Sequence, residues 1–152
     1  MIDKSKTLAV TGHRDLDKTL DIKKLESIFI EYIKKGINTF LIGMAVGFDS
    51  ICFKCLYKLK NQYDIKLICC IPCENQQRYF NERDKKQYEE FLSVSDENIY
   101  ISKEYTPYCM MKRNKFMVDN CSVLVAYLRK LSGGTKQTVD YAKTKQVLIE
   151  YV

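Results

Sequence analysis

Short apolar runs alternate along this chain with longer segments in which apolar residues recur every three or four positions. The run at residues 7–11 ends at Gly12 and is typical of a buried strand. Residues 22–33 follow with helical spacing, and Gly36 is placed as a helix stop. The pattern then predicts a strand at 39–42, a loop at 43–47, a helix through Cys52 and Cys55, and a strand at 65–71.

The second half of the chain continues the alternation. The charged segment 76–92 predicts a surface helix with an apolar stripe of Tyr88, Phe91 and Leu92. Beyond it the pattern predicts a strand at 98–101, a helix at 110–120, a strand at 122–126, a helix at 136–144 and a strand at 147–149. Because parallel neighbouring strands need crossover connections, we expect a single α/β domain over residues 1–152, a Rossmann-like three-layer α/β/α sandwich with a mostly parallel sheet.

Composition limits the classes of partner. The chain has 152 residues, of which 46% are hydrophobic and 29% charged, as in ordinary globular domains. No apolar run approaches the roughly 20 residues of a membrane span, and the polar start MIDKSK does not resemble a signal peptide. We therefore expect a cytoplasmic protein without a membrane partner. The net charge of +6 is spread along the chain, so nucleic acid is permitted but is not the expected partner.

The seven cysteines raise the question of a zinc site. Cys52-x2-Cys55 and Cys70-x2-Cys73 have a spacing close to that of zinc ribbons. However, the first pair lies within a helical apolar series, and Cys70 lies at the end of an apolar run. A zinc knuckle needs tight turns, so we expect buried thiols and no metal site.

Polar residues follow the predicted strands where this fold class binds ligands, outside the carboxyl ends of the strands. The first such loop is Thr11-Gly12-His13-Arg14, whose side chains can donate to a phosphate or a carboxylate. His13 is the only histidine, which excludes a metal site with a pair of histidines. It is either a ligand-binding residue or a loop histidine bonded to the backbone.

The second such loop lies between Gly43 and Gly47 and leads to Asp49. Its glycines allow the backbone to approach a ligand closely, although their spacing matches neither the dinucleotide fingerprint nor a Walker loop. Asp49 either caps the following helix or binds a ribose hydroxyl.

The helix after the fourth strand contributes Arg113, Asn114 and Asp119. These residues lie either on an exposed helix face or on a face turned to the cleft. Before the helix, Tyr105 and Tyr108 either stack on a base or cover the core.

The last loop, Ser132-Gly133-Gly134-Thr135, follows a buried strand and opens a helix. It is either a helix-capping turn or a phosphate-binding loop. The free amides and the dipole of a helix N-terminus favour the phosphate-binding interpretation.

Taken together, these motifs resemble YpsA-like proteins of the SLOG superfamily, which also contains DprA-type DNA-processing proteins and the LOG phosphoribohydrolases. The motifs are Thr11-Gly-His-Arg14, Gly43-Met-Ala-x-Gly47-x-Asp49, Pro72 followed by Gln76 and Gln77, Arg113-Asn-x-x-Met117-Val-Asp119 and Gly133-Gly-Thr135-x-x-Thr138. The resemblance covers nearly the whole chain and implies a pocket for a nucleotide or a nucleotide derivative such as ADP-ribose.

Carried over by this resemblance, the binding residues are Thr11, Gly12, His13, Arg14, Gly43, Met44, Gly47, Asp49, Arg113, Asn114, Asp119, Gly133, Gly134 and Thr135. LOG enzymes have a glutamate shortly after the glycine-rich loop, where this chain has Lys136, Gln137 and Thr138. The resemblance therefore favours a sensor that binds its ligand, without a cofactor and with a homo-oligomer as a further possibility. An N-glycosidase with Asp49 or Asp119 as the acid is the alternative, followed by DprA-like binding of single-stranded DNA.

Overall fold

The apolar runs form one six-stranded sheet in the computed structural model, which describes residues 1–152. The strands are β1 (Thr7–Gly12), β2 (Thr39–Ile42), β3 (Lys66–Cys73), β4 (Glu97–Ser102), β5 (Val123–Tyr127) and β6 (Leu148–Tyr151). Every neighbouring pair is parallel, and the strand order is β4-β3-β2-β1-β5-β6. The predicted α/β class is confirmed, and the sheet is parallel throughout.

Helices cover both faces of the sheet. They are α1 (Ile22–Lys34), α2 (Phe48–Leu59), α3 (Glu82–Val94), α4 (Cys109–Asp119) and α5 (Gly134–Thr144). Phe29, Phe40 and Phe53 belong to the core under α1, α2 and α3, whereas Leu41 and Met117 belong to the core under α4 and α5. Adjacent residues of β2 thus face opposite layers, as the period of a strand requires. The three-layer architecture is confirmed, and no helix is both long and apolar enough to cross a membrane.

The direction of strand order reverses between β1 and β5. The chain proceeds from β1 outward to β4 and then returns to β5 on the other side of β1. Gly12 at the end of β1 pairs with Tyr127 at the end of β5, so the loops after these two strands leave the sheet side by side. This reversal is where open parallel sheets bind ligands.

One predicted helix is wrong in its extent. Residues 76–92 do not form one helix, because a 3₁₀ helix at Gln76–Tyr79 is separated from α3 by the extended residues Phe80 and Asn81. The side-chain oxygen of Asn81 accepts a hydrogen bond from the amide of Asp84 at 2.8 Å and thereby caps α3. At the other end of the chain α5 begins at Gly134, two residues before the predicted start at 136.

The cysteines are buried thiols, as predicted. Cys52 and Cys55 lie in the core on one face of the sheet, and Cys70 lies in the core on the other face. The two cysteine pairs that have the zinc-ribbon spacing therefore do not come together. Burial raises the pKa of Cys73, which keeps the thiol protonated and weakly nucleophilic.

Candidate functional site

A cleft of about 330 Å³ opens at the carboxyl edge of the sheet, beside the reversal between β1 and β5. Its size is within the range of small-molecule sites. Among the predicted binding residues, those that line it are Thr11, Gly12, His13, Arg14, Gly43, Asp49, Arg113, Asn114, Gly133, Gly134 and Thr135. The loops after β1, β2 and β5 and one face of α4 thus meet at one place.

The N-terminus of α5 supplies unpaired backbone donors to the cleft. Gly133 precedes the helix with a φ of 100°, a conformation that costs glycine little. The amides of Gly134, Thr135 and Lys136 make no backbone hydrogen bond, and no side chain caps the helix. An anion at this end of the cleft would gain these hydrogen bonds together with the helix dipole.

Close packing of the loops after β1 and β2 shapes the other wall. Gly47 has a φ of 98°, and a Cβ atom there would collide with the carbonyl oxygen of Arg14. The amide of Phe48 donates to the carbonyl oxygen of His13 at 3.1 Å, and a Cβ atom at Gly12 would collide with the ring of Phe48. These glycines therefore let the two loops touch.

His13 joins the loop after β1 to the loop after β5. Its Nε2 atom accepts hydrogen bonds from the amides of Arg129 at 2.7 Å and Lys130 at 3.3 Å. Burial lowers the pKa of His13, and the charges of Lys130 and Arg129 lower it further. The neutral ring then carries its proton on Nδ1. The backbone-bonded alternative for this histidine is therefore present, within the wall of the cleft.

Asp49 is buried in the first turn of α2 and does not cap the helix, because the N-cap position is Gly47. Its Oδ2 atom accepts a hydrogen bond from the amide of Ala45 at 3.0 Å, whereas Oδ1 is buried and has no partner. Burial raises the pKa of Asp49 to about 6, although the charge of Arg113 and the Ala45 hydrogen bond act in the opposite direction. An unpartnered buried oxygen is costly, and Asp49 is among the residues that line the cleft.

Arg113 is buried and faces the cleft, so the exposed-face alternative is wrong for this residue. Its guanidinium donates to the carbonyl oxygen of Gly43 and, at 2.8 Å, to the side-chain oxygen of Asn114. A Cβ atom at Gly43 would lie 3.0 Å from the guanidinium, so glycine leaves room for this contact. Burial lowers the pKa of Arg113, and the nearby charge of Asp49 opposes that shift.

Comparison with known proteins assigns the chain to a family. The YpsA family model, described as the YspA SLOG family, matches residues 4–151. The chain belongs to the YpsA SLOG family. It is 30% identical over 134 residues to the uncharacterized SPbeta prophage-derived protein YoqJ of Bacillus subtilis (strain 168), covering 79% of this chain and 78% of that protein. It is 26% identical over 155 residues to the UPF0398 protein YpsA of the same strain, covering 93% of this chain and 86% of YpsA.

Two solved structures share the fold of this YpsA-family chain. The DNA processing protein A (DprA) of Streptococcus pneumoniae superposes with a TM-score of 0.71 at 16% identity, over 97% of this chain and 50% of DprA. The DprA of Helicobacter pylori, whose structure is titled for its single-stranded DNA binding mode, superposes with a TM-score of 0.71 at 18% identity, over 95% of this chain and 64% of that protein. The chain thus spans half to two thirds of these proteins, and identities this low support a shared fold alone.

Three residues named by the family resemblance lie outside the cleft of this YpsA-family protein, namely Met44, Gly47 and Asp119. Asp119 is an exposed residue at the last position of α4, where its carboxylate accepts a hydrogen bond from the hydroxyl of Tyr141 at 2.8 Å. It is six residues beyond Arg113, a rise of about 9 Å along a helix. Met44 is buried, and its carbonyl oxygen accepts from the side-chain amide of Gln76 at 3.0 Å.

The cleft also includes residues that were not among the predicted binding set. These are Val10, Ala45, Met110, Met117, Lys130 and Ser132. Lys130 and Ser132 follow β5, so the rule about strand ends could have identified them. Tyr105 and Tyr108 are exposed between β4 and α4 and do not cover the core. No group of three or more His, Cys, Asp or Glu side chains is placed to hold a metal ion.

Proposed function

We propose that this YpsA-family protein is a cytoplasmic sensor that binds a phosphate-containing nucleotide derivative, of the ADP-ribose kind, in the cleft. One observation carries the proposal: the unpaired amides at the start of α5 and the buried Asp49, whose Oδ1 atom has no hydrogen-bond partner, line the same cleft. The amides suit an anion and the carboxylate oxygen suits a hydroxyl donor. A sugar phosphate carries both groups.

Each binding residue then has a role that follows from its chemistry. The amides of Gly134 and Thr135 bind the phosphate, and Asp49 accepts a hydrogen bond from a ribose hydroxyl. Arg14 and Lys130 line the cleft and take part in no ion pair within the protein. Their charges are therefore available to the phosphates. His13 and Arg113 stabilise the walls of the cleft through their hydrogen bonds to backbone groups.

A thermal-shift panel of AMP, ADP, ADP-ribose, NAD and cyclic dinucleotides tests the proposal. A ligand at 100 times its Kd stabilises the folded state by about 2.7 kcal/mol, so the melting temperature should rise clearly for at least one of them. Gly134→Val should abolish that rise. A Cβ atom at Gly134 meets no other atom within 4 Å and the residue has no positive φ, so the variant should fold.

The matched control is Thr144→Val, an exposed substitution at the opposite end of α5. It should leave the ligand-induced rise unchanged. Absence of any rise at millimolar ligand, or an equal rise in Gly134→Val, would contradict the proposal. The identity of the ligand would come from mass spectrometry of the protein after gentle purification.

An N-glycosidase is the second candidate, and the raised pKa of Asp49, about 6, is the observation in its favour, since a general acid works best near the ambient pH. Against it, Asp49 is the only carboxylate that lines the cleft, whereas glycosidases use a pair. We therefore expect no release of base or sugar phosphate when the protein is incubated with AMP or ADP-ribose. Chromatography that detects release, lost in Asp49→Asn, would establish the enzyme instead.

Single-stranded DNA is a further candidate ligand. The Helicobacter pylori relative in fold is described as a single-stranded DNA-binding protein, and Tyr105 and Tyr108 are exposed at the carboxyl edge of the sheet. Exposed aromatic rings beside positive charge are the usual platform for unpaired bases. A competition experiment tests whether the oligonucleotide and the mononucleotide use the same site. An oligonucleotide that occupies the cleft should be displaced by the mononucleotide that binds there.

A further inference from the structure

A second hollow of about 290 Å³ adjoins the cleft at the carboxyl edge of the sheet. The two share Arg14, Ala45 and Met110 in their linings, so they meet along one boundary. Their character differs: the cleft is lined mainly by polar residues and glycines, whereas the remaining wall of the hollow is Val46, Gln76, Tyr79 and Phe80. A ligand that spans both would have one strongly polar part and one flat apolar part.

Local backbone structure builds the apolar wall. Asn75 adopts a left-handed conformation with a φ of 59°, which turns the chain from β3 into the 3₁₀ helix Gln76–Tyr79. The buried side chain of Gln76 donates to the carbonyl oxygen of Met44 at 3.0 Å and fixes this helix to the loop after β2. The ring of Phe80 packs edge to face on Tyr88 at 5.6 Å. The wall is therefore anchored at both ends of the 3₁₀ helix.

Tyr79 is the exposed residue of this wall. The residue is 81% exposed, and its only aromatic or cationic partner is the guanidinium of Arg78, 4.8 Å from the ring centroid. One face of the ring is thus covered by a cation while the residue borders the hollow. A large aromatic residue this exposed beside a polar cleft suits recognition rather than core packing.

We propose that the hollow binds the base of the nucleotide, which stacks against Tyr79 and contacts Val46, Phe80 and Met110. This inference rests on the proposed function and specifies its ligand: a nucleotide with its base attached, in preference to a sugar phosphate without one. Arg14 lies at the boundary between the two spaces, where its guanidinium can contact the phosphates of a ligand whose base is in the hollow. The aromatic ring and the polarizable thioether accept the flat face of a base.

Calorimetric titration of AMP and of ribose 5-phosphate tests the inference, because these ligands differ only in the base. The wild-type protein should bind AMP at least about tenfold more tightly. Tyr79→Ala should remove most of that preference and leave ribose 5-phosphate affinity unchanged, and Tyr79→Phe should retain it. Tyr108→Ala is the matched control, an exposed tyrosine that lines neither space, and it should change neither affinity.

The possible failures are distinct. If both ligands bind equally and Tyr79→Ala changes neither affinity, the base site is refuted while the sugar-phosphate site in the cleft stands. If neither AMP, ribose 5-phosphate nor any nucleotide of the thermal-shift panel binds, the proposed function itself is refuted, and the base site with it.

Discussion

Asp49 combines burial, an unpartnered oxygen and a raised pKa, and these properties have one physical cause. The first turn of α2 places the carboxylate behind the cleft, where Ala45 satisfies one oxygen and nothing in the protein satisfies the other. The pKa of about 6 lies above the ordinary value of about 3.9. As the pH rises from about 4 to about 6, the unfolded chain loses this proton first, so the free energy of unfolding falls.

We predict that Asp49→Asn stabilises the ligand-free protein at neutral pH, because the amide stays uncharged. The difference in free energy of unfolding between variant and wild type should be about 2 kcal/mol larger at pH 7.5 than at pH 4. Urea denaturation at both pH values measures it. The same variant should lose affinity for nucleotide, the usual conflict between stability and function at a binding site.

Asp64→Asn is the control for this comparison, since Asp64 is exposed in the turn between α2 and β3. Its difference from the wild type should be the same at both pH values. If the difference in free energy of unfolding between Asp49→Asn and the wild type is also the same at both pH values, the buried carboxylate does not ionise near pH 6.

Single residues were the hardest part of the site to predict from the sequence. Whether His13 bonds to the backbone depends on the amides of Arg129 and Lys130, more than a hundred positions away, and no local pattern contains that information. The prediction that Asp119 lines the cleft was wrong for a simpler reason. A family motif specifies order along a helix, whereas the lining of the cleft ends at Met117, two residues before Asp119.

At the scale of elements, α2 and α5 each begin beside a glycine, but the two glycines differ in what surrounds them. Gly47 is the N-cap of α2, has a φ of 98°, and lies against the backbone of Arg14. Gly134 is the first residue of α5 and has open space where a Cβ atom would lie. The first glycine is required for packing, whereas no contact within the protein requires the second.

We predict opposite effects of alanine at these positions. Gly47→Ala should lower the free energy of unfolding by at least about 2 kcal/mol, from backbone strain and a steric clash. Gly134→Ala should leave it unchanged or raise it by up to about 1 kcal/mol, because alanine favours the helix. Urea denaturation of both variants measures this. A mild effect at Gly47 would mean that the loops after β1 and β2 can separate easily.

The loops after β1 and β5 are also coupled through one side chain, which leads to a further prediction. His13→Phe keeps a ring that can pack near Tyr127, 5.7 Å from His13 in the structure, but it removes the acceptor for the two amides. The free energy of unfolding should fall by about 1–3 kcal/mol. Hydrogen exchange of the Arg129 and Lys130 amides should accelerate, and unchanged exchange would show that His13 does not hold this loop.

Helices and strands were mostly predictable because their patterns are local. Buried parallel strands are continuous apolar runs, and β1 and β5 were placed from such runs to within a residue or so of their ends. The break before α3 was missed because residues 81–87 are all polar and contain no apolar pattern that marks a boundary. Asn81 followed by acidic residues in the first turn, Glu82 and Asp84, was the available signal for a helix start there.

At the scale of the whole molecule, strand order brings the loops of the cleft together. The alternation of elements predicts a parallel sheet, but it does not specify that the chain returns from β4 to the far side of β1. That return places the loop after β5 beside the loop after β1. The net charge of +6 comes from 25 basic and 19 acidic residues, so the excess of positive charge is small.

A protein with so small an excess of positive charge should bind nucleic acid weakly and with strong dependence on salt. Binding of a single strand that contacts about four phosphates loses roughly 50-fold in affinity between 50 and 200 mM salt. We predict this behaviour for oligothymidylate, measured by fluorescence anisotropy, whereas AMP should lose only about threefold because most of its contacts are short-range hydrogen bonds in the cleft. Tight oligonucleotide binding that persists at 200 mM salt and is displaced by AMP would instead mean that the cleft is built to hold a DNA strand.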